Sequence, residues 1–351
     1  MTESKNGTRS SRRRFVAAAL ALTTAPALRV RAAAAGERTY VLRCALETPP
    51  SHARNAAVRD YLGKVEAAAG GRIKAQLTES AQYFPAAQVT NALLQGQIEM
   101  AVPASWSLTG AVPDADFLQL PALYGRDIAG VRRAADGKAG QLLATEIEQK
   151  LQGHVIGPWL EAGFFNWYST RRALIAYGDL KGMRVRCGGG AGQAWRMRFL
   201  GAVPDSTPLP NEQLLLSQGL CDGIVVMHDT MANGQFWEAG IRYAFEDGQF
   251  AGEYIPIVSL AFWRRLPPDL QAVFTDLWRD NVGTYRADMA AAQARARALV
   301  QAHDIEIAAP PLHEQWAMRD AMIARQDEVA KAARISPSMM AAVAADLAAL
   351  D

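Results

Sequence analysis

The chain is poor in the residues that hold metals and disulfides. Its 351 residues contain three cysteines, Cys44, Cys187 and Cys221, and no two of them stand at a short metal-ligand spacing. An odd number cannot all pair within one chain. Cys187 and Cys221 each flank an expected strand in the same half, which leaves a disulfide or buried small apolar residues as alternatives. The five histidines (His52, His154, His228, His303, His313) are scattered, with no His-x-x-x-His pair. There is no Gly-x-Ser-x-Gly elbow and no Walker loop, so the commonest hydrolase and nucleotide-enzyme signatures are missing. Beyond the first 35 residues no apolar run reaches the about 18 residues of a membrane helix. No 20–50-residue repeat is visible.

Charge of one sign is also scarce. The formal net charge of +2 hides an uneven spread: residues 1–35 hold seven Lys/Arg and one acid, and the remainder has 30 bases and 34 acids. A mildly acidic body has no electrostatic footprint for nucleic acid. With half its residues hydrophobic, the chain is neither disordered nor fibrous and is long enough for two ordinary domains.

The first 35 residues read as an address. Arg12-Arg13-Arg14-Phe15 precedes an apolar run from Ala17 to Leu28 and an Ala-rich stretch through Ala35. A basic start, a short apolar run and small residues make an export signal, and the Arg pair before Phe15 resembles the twin-arginine type. The mature protein is then expected to be periplasmic and to start near Gly36. Cys44 follows Arg43 inside an expected strand, so no lipid-attachment motif is seen.

Strands are expected at Tyr40–Glu47, Arg72–Thr78, Glu99–Ala104 and His154–Leu160, with helices at His52–Gly70, Ala86–Gly96 and Ile128–Leu151 between them. Asp114–Tyr124 reads as a loop and short helix carrying an exposed Phe-Leu-x-Leu-Pro. The second half repeats the style, with strands at Ser169–Arg172, Met183–Cys187, Ala202–Ser206 and Gly223–Met227. Helices are expected at Gly188–Leu200, Asn211–Gly219 and Asp229–Gly240. Tyr254–Phe262 reads as a strand returning to the first sheet. Pro267–Ala302 reads as one long helix or two abutting ones. A strand at Asp304–Ile307 and helices near Leu312–Ala333 and Ser336–Leu350 close the chain. Alternation of this kind means α/β architecture with largely parallel sheets.

Several stretches together resemble the extracytoplasmic solute receptors of TRAP (tripartite ATP-independent periplasmic) transporters, the DctP-like family. They are Ala69-Gly70-Gly71-Arg72-Ile73-Lys74, Ala81-Gln82-Tyr83-Phe84, Ala92-Leu93-Leu94-Gln95-Gly96-Gln97-Ile98-Glu99-Met100 and Leu120-Pro121-Ala122-Leu123-Tyr124. Further on come Asp179-Leu180-Lys181-Gly182-Met183-Arg184-Val185-Arg186, Leu200-Gly201-Ala202-Val203-Pro204, and Glu212 with Leu216-x-x-Gly219-x-x-Asp222-Gly223. The order is the family's, and it runs from about residue 39 to at least 280. The resemblance implies a two-lobed periplasmic-binding-protein-like fold. Each lobe would be a mostly parallel sheet flanked by helices, with a long C-terminal helix bridging the two. The first lobe would take 38–162 and about 252–290, and the second 163–251 and about 291–351.

The resemblance also implies a function: a binding protein, not an enzyme, that captures a carboxylate solute between its lobes and delivers it to the membrane subunits of a permease. The family's carboxylate-pairing arginine falls at Arg186. A guanidinium fork suits a carboxylate, and the Gly188–Gly192 run opens a helix whose amides also favour an anion. Two positions depart from well-known members, with Phe165 where they carry a second Arg and Val226 where they carry Asn. A less polar carboxylate than a sugar acid is therefore expected. Trp106, Tyr124, Phe165, Trp167, Trp195 and Phe236 are candidate walls, each with core packing as its alternative. Glu161, at a strand end, is a candidate for a solute hydroxyl or amine. Glu79 and Gln82 lie in the first lobe's ligand-facing loop, His228 and Asp229 follow the Asp-Gly strand, and Glu212 reads as a structural helix residue. No cofactor and no metal are expected, and the expected state is a monomer. Two rival readings stand beside this one, the second disfavoured by its own motif. One is a ligand sensor on the same fold. The other is an exported dinucleotide oxidoreductase: Gly188-x-Gly190 opens a helix, but the third glycine of that fingerprint would fall at Gln193.

Overall fold

In the computed structural model, which describes residues 38–84, 86–207 and 211–348, the first sheet grows from short strands that each end in a loop or helix. The expected export segment lies outside the described residues. The first strand, β1 (Tyr40–Ala45), buries Leu42 and Cys44. Helix α1 (Ala53–Ala68) follows, its N-terminus capped by His52, whose ring accepts the Arg54 amide. Ala57, Val58, Tyr61, Leu62 and Val65 make its buried stripe, the spacing of a one-faced helix. Gly70 and Gly71, both at positive φ, stop it. Strand β2 (Ile73–Thr78), helix α2 (Ala86–Leu94), β3 (Met100–Ala101) and α3 (Ser105–Leu108) come next. The 3-10 segments Pro113–Gln119 and Pro121–Leu123 lead to α4 (Ile128–Asp136), α5 (Lys138–Leu151) and β4 (Gly153–Val155). The helix expected over Ile128–Leu151 is thus two, broken at the extended residue Gly137.

The chain crosses to the second lobe through β5 (Leu160–Phe164) and continues as β6 (Asn166–Ser169), β7 (Arg184–Arg186), α6 (Ala191–Phe199) and β8 (Val203–Asp205). Helix α7 (Glu212–Ser217), β9 (Gly223–Val226), α8 (His228–Asn233) and β10 (Tyr243–Phe245) complete this stretch. It crosses back through β11 (Ala251–Tyr254) to β12 (Ile257–Ser259), followed by α9 (Leu260–Trp263) and α10 (Pro268–Ala302). Strand β13 (Glu306–Ala308), α11 (Leu312–Ile323), α12 (Gln326–Ala333) and α13 (Pro337–Ala348) close it.

The first sheet has the order β2-β1-β3-β12-β4 and the second β13-β10-β6-β9-β7-β8. In the first, β1 runs parallel to both neighbours, and β12 enters antiparallel between β3 and β4, as expected of a returning strand. In the second, β7 is parallel to β8 and β9, whereas β6 is antiparallel to β9 and β10. The crossing strands β5 and β11 pair antiparallel as a two-stranded ribbon with a register shift at Gly252/Glu253. Helix α10, 35 residues long and opened by Pro268, spans both lobes, packing on α1, β5 and α8. Leu270, Phe274, Trp278, Val282, Tyr285, Met289, Ala296 and Val300 form its buried stripe. At about 1.5 Å per residue it is about 50 Å long, enough to reach across two lobes.

Two further expectations are corrected. The Phe-Leu-x-Leu-Pro segment is buried, not exposed: Phe117, Leu118 and Leu120 are at most 2% accessible, covered by α6, α12 and α13. The helix expected near Leu312–Ala333 breaks at Ala324-Arg325. The closing helix α13 packs on α4 and α5, where Asp346 accepts the amides of Lys138 and Ala139. That carboxylate caps the otherwise unpartnered N-terminus of α5. Among the described residues no helix is long and apolar enough to cross a membrane.

Candidate functional site

The carboxyl ends of the parallel strands in the two sheets face each other across the lobe seam. In open α/β sheets this is the edge where ligands bind, because side chains and helix N-termini converge there. His52, after β1, meets Asp229, after β9, with Nε2 3.4 Å from Oδ2. Nδ1 of His52 accepts the Arg54 amide, so the ring proton of the neutral imidazole sits on Nε2, facing Asp229. Burial pushes the His52 pKa down to about 3 and the Asp229 carboxyl up. Beside them the Ser51 hydroxyl donates to Asn233 at 2.6 Å.

Arg186 ends β7 on this edge and is 8% exposed. Its Nε donates to the Thr207 carbonyl at 3.1 Å and stands 3.5 Å from Glu212 of α7. Among the described residues its two terminal nitrogens have no hydrogen-bond partner. Burial lowers the Arg186 pKa, and the Glu212 charge works against that shift.

Phe165 and Trp106 meet edge to face, with centroids 5.1 Å apart, and Phe165 also packs on Phe250 at 4.6 Å. Trp106, from the first lobe, also reaches the second: its Nε1 lies 3.0 Å from where a Cβ on Gly188 would stand. A Cβ on Gly252 would lie 2.5 Å from Trp106 and 2.8 Å from Phe165, so only glycine fits there. Tyr254 extends the aromatic wall, tilted against Trp106 at 6.0 Å and edge-on to His52. The fully buried Arg54 lies 4.4 Å over the Tyr254 ring and is paired with Glu47 at 2.8 Å.

The remaining candidates lie elsewhere. Trp167 is fully buried; its Nε1 donates to Asp247 at 3.0 Å, and Arg196 lies 5.2 Å over its ring. Glu161 is held by a two-pronged ion pair with Arg132 and lies 3.6 Å from Arg286. It lines a cavity of about 450 Å³ against α10 and α8, together with Phe164, Asn166, His228, Glu246 and Gln293. Gln82 is exposed, and Glu79 is taken up by Asn55 and Arg59. Thus Arg186, Phe165, Trp106 and Asp229 lie along the seam, whereas Glu161 and Trp167 are engaged in ion-pair and core networks.

Two features escaped the sequence. The amides that open α6 face a carboxylate of the protein itself: Asp116, from the first lobe, accepts the Gly192 N–H at 2.8 Å. Burial raises its pKa to about 6, against the pull of the Gly192 and Ala191 amides. An acid inside the apolar run Ala115–Leu120 was the available signal. Tyr254 was hidden in a run that reads as an ordinary strand. All three cysteines are free and buried, so of the two alternatives the disulfide is the one not formed. Among the described residues no group of three His, Cys, Asp or Glu is set to hold a metal.

Residues 45–332 match the profile of the bacterial extracellular solute-binding proteins, family 7. The chain belongs to this family, the DctP-type receptors of TRAP transporters. The receptor is 26% identical over 258 residues to a solute-binding protein of Verminephrobacter eiseniae, covering 73% of this chain and 75% of that one. It is 22% identical over 273 residues to the C4-dicarboxylate-binding periplasmic protein DctP of Shewanella loihica, covering 76% and 80%. In fold it resembles the TRAP periplasmic solute-binding protein of Desulfovibrio salexigens, solved with orotic acid, with a TM-score of 0.82 at 20% identity over 89% of this chain and all of that one. It is equally similar to the sugar acid binding protein DctPAm of Advenella mimigardefordensis, solved with galactonate, with a TM-score of 0.82 at 18% identity over 90% and 99%.

Proposed function

We propose that this receptor captures an organic acid of modest polarity between its lobes, outside the cytoplasm, and hands it to the membrane subunits of a TRAP permease. The observation that carries the reading is Arg186. A buried guanidinium whose forked edge has no hydrogen-bond partner among the described residues, at the carboxyl end of a strand on the lobe seam, is suited to take a carboxylate bidentately. Trp106, packed against Gly188 two residues on from Arg186, forms an apolar wall with Phe165, and Tyr254 continues it. Phe165 and Val226, where other members carry Arg and Asn, turn the preference away from sugar acids. The acids carried by solved relatives, orotic acid and galactonate among them, support a carboxylate solute in general; galactonate is the sugar-acid kind that this site disfavours.

The lobes close by bending the β5–β11 ribbon and sliding along α10, a hinge of a few strand residues. His52–Asp229 and Ser51–Asn233 then bridge the seam. The solute favours closure only through its better affinity for the closed form. Residues 1–35 serve as a twin-arginine export signal, and the receptor acts as a periplasmic monomer without metal or cofactor.

The test is to purify the protein, denature it, and identify any released small molecule by mass spectrometry. Thermal shift is screened in parallel against pyruvate, succinate, benzoate and phenylacetate, since a ligand of the native state raises its melting temperature. A carboxylate that stabilises the wild type but not Arg186→Ala supports the reading. Stabilisation by non-acidic solutes alone overturns it.

A further inference from the structure

We infer that solute capture at Arg186 is an exchange of carboxylates: the solute's carboxylate displaces Glu212 from the guanidinium, and Glu212 takes up a proton from solvent. This rests on the reading of Arg186 given above and adds a proton to its stoichiometry.

Glu212 is held in an unusual way. It opens α7 with no exposed surface, and neither of its oxygens has a hydrogen-bond partner among the described residues. Its ion-pair partner is Arg186, at 3.5 Å, and that contact is through Nε, whose single hydrogen is already given to the Thr207 carbonyl at 3.1 Å. The pair is therefore held by charge without a hydrogen bond. A buried carboxylate held this way stays ionised only through the cation beside it.

A solute carboxylate reaching the terminal nitrogens of Arg186, which have no hydrogen-bond partner among the described residues, would put two anions on one cation. Two carboxylates sharing a site cannot both stay ionised at ordinary cost, and the less solvated and less hydrogen-bonded one is protonated. The solute gains the forked hydrogen bonds, whereas among the described residues the donor beside Glu212 is the weak Cys221 thiol alone. The charges around Glu212 agree on this outcome. Asp205, at the end of β8, accepts the Thr207 amide at 2.8 Å and its pKa is lowered, so it adds a fixed negative charge. The Cys221 thiol, next to β9, is pushed up to about 11 by burial and is already protonated. Glu212 itself is pushed up to about 7 by burial against the pull of Arg186. Losing sole possession of Arg186 raises it further.

The sign follows directly. The bound state holds more protons than the free state, so affinity is full at low pH and falls as pH rises through about 7, by up to tenfold per unit at its steepest. The experiment is titration calorimetry of the full chain with benzoate and with acetate at about pH 7.5, in phosphate, HEPES and Tris, whose differing ionisation heats report proton uptake. Expected are an uptake of up to one proton per carboxylate in the wild type and its retention in Glu212→Asp. In Glu212→Gln the uptake disappears, and affinity stays flat from about pH 6 to 8. Binding without proton uptake, or uptake that survives Glu212→Gln, overturns the exchange and leaves the role of Arg186 standing. No binding of either carboxylate, or binding that survives Arg186→Ala, overturns the Arg186 reading and the exchange with it. If Glu212→Gln does not fold, the wild-type buffer series still decides.

Discussion

Arg186 concentrates the chemistry of the receptor in one side chain, and its surroundings determine what each substitution costs. The guanidinium is desolvated and bonded through one nitrogen, and among the described residues the other two have no partner. Replacing it with alanine removes both charge and fork, and a buried charged contact of this kind is worth about 2–5 kcal/mol. Arg186→Ala should therefore weaken carboxylate binding by tens-fold to several-thousand-fold in titration calorimetry. Arg186→Lys keeps the charge but offers a point donor, and its affinity should fall between the two. The strand ending in this arginine was legible in the chain because the Asp179–Arg186 motif is local. Its engagement with Glu212 was not. Glu212 reads as an ordinary acid in the first turn of a helix until the fold sets α7 beside β7.

At the scale of elements, α6 shows how a helix end can be misread. A glycine-rich opening with free amides favours an anion, and the chain offered no reason to think that the anion belongs to the protein. Asp116 occupies that end, and a Cβ on Gly192 would stand 2.4 Å from Cβ of Gln119. Alanine has about 1 kcal/mol better helix propensity than glycine. That gain cannot offset forcing apart the 113–119 segment and α6. Gly192→Ala should therefore lower the melting temperature in thermal denaturation, opposite to the propensity expectation; a rise would mean that this contact is slack. The same logic explains the other element-level surprises. The strand and helix periods of α1, β1 and α10 are written in apolar spacing and were read correctly. The break at Gly137 and the burial of Phe117–Leu120 depend on what α13 covers, and that is set by packing between distant segments.

For the whole molecule, the two strands that join the lobes carry an unusual carboxyl. Glu253 of β11 is fully buried, neither of its oxygens has a hydrogen-bond partner among the described residues, and it pairs with Glu161 directly across the ribbon. Arg286, Arg132 and Asp136 surround it. Burial first, and the Glu161 charge second, raise its pKa well above the ordinary carboxylate range. The folded state thus holds a proton that the unfolded chain has lost above that range. Stability from this group falls as pH rises, by up to about 1.4 kcal/mol per unit. Glu253→Gln removes the titration. Its melting temperature should exceed that of the wild type at about pH 8, with the gap closing toward about pH 5. A constant gap would mean that Glu253 does not titrate in this range. The α/β class, elements such as β1 and α1, the family and the arginine at the end of β7 could all be read from the chain alone, because each is encoded in local spacing or in a contiguous motif. Folding was needed to make Phe165, Trp106 and Tyr254 one wall, to join His52 to Asp229, to send Glu161 and Trp167 into other networks, and to seat Asp116 on α6. Those contacts join residues far apart in the chain, and they form only when two sheets bring their strand ends face to face.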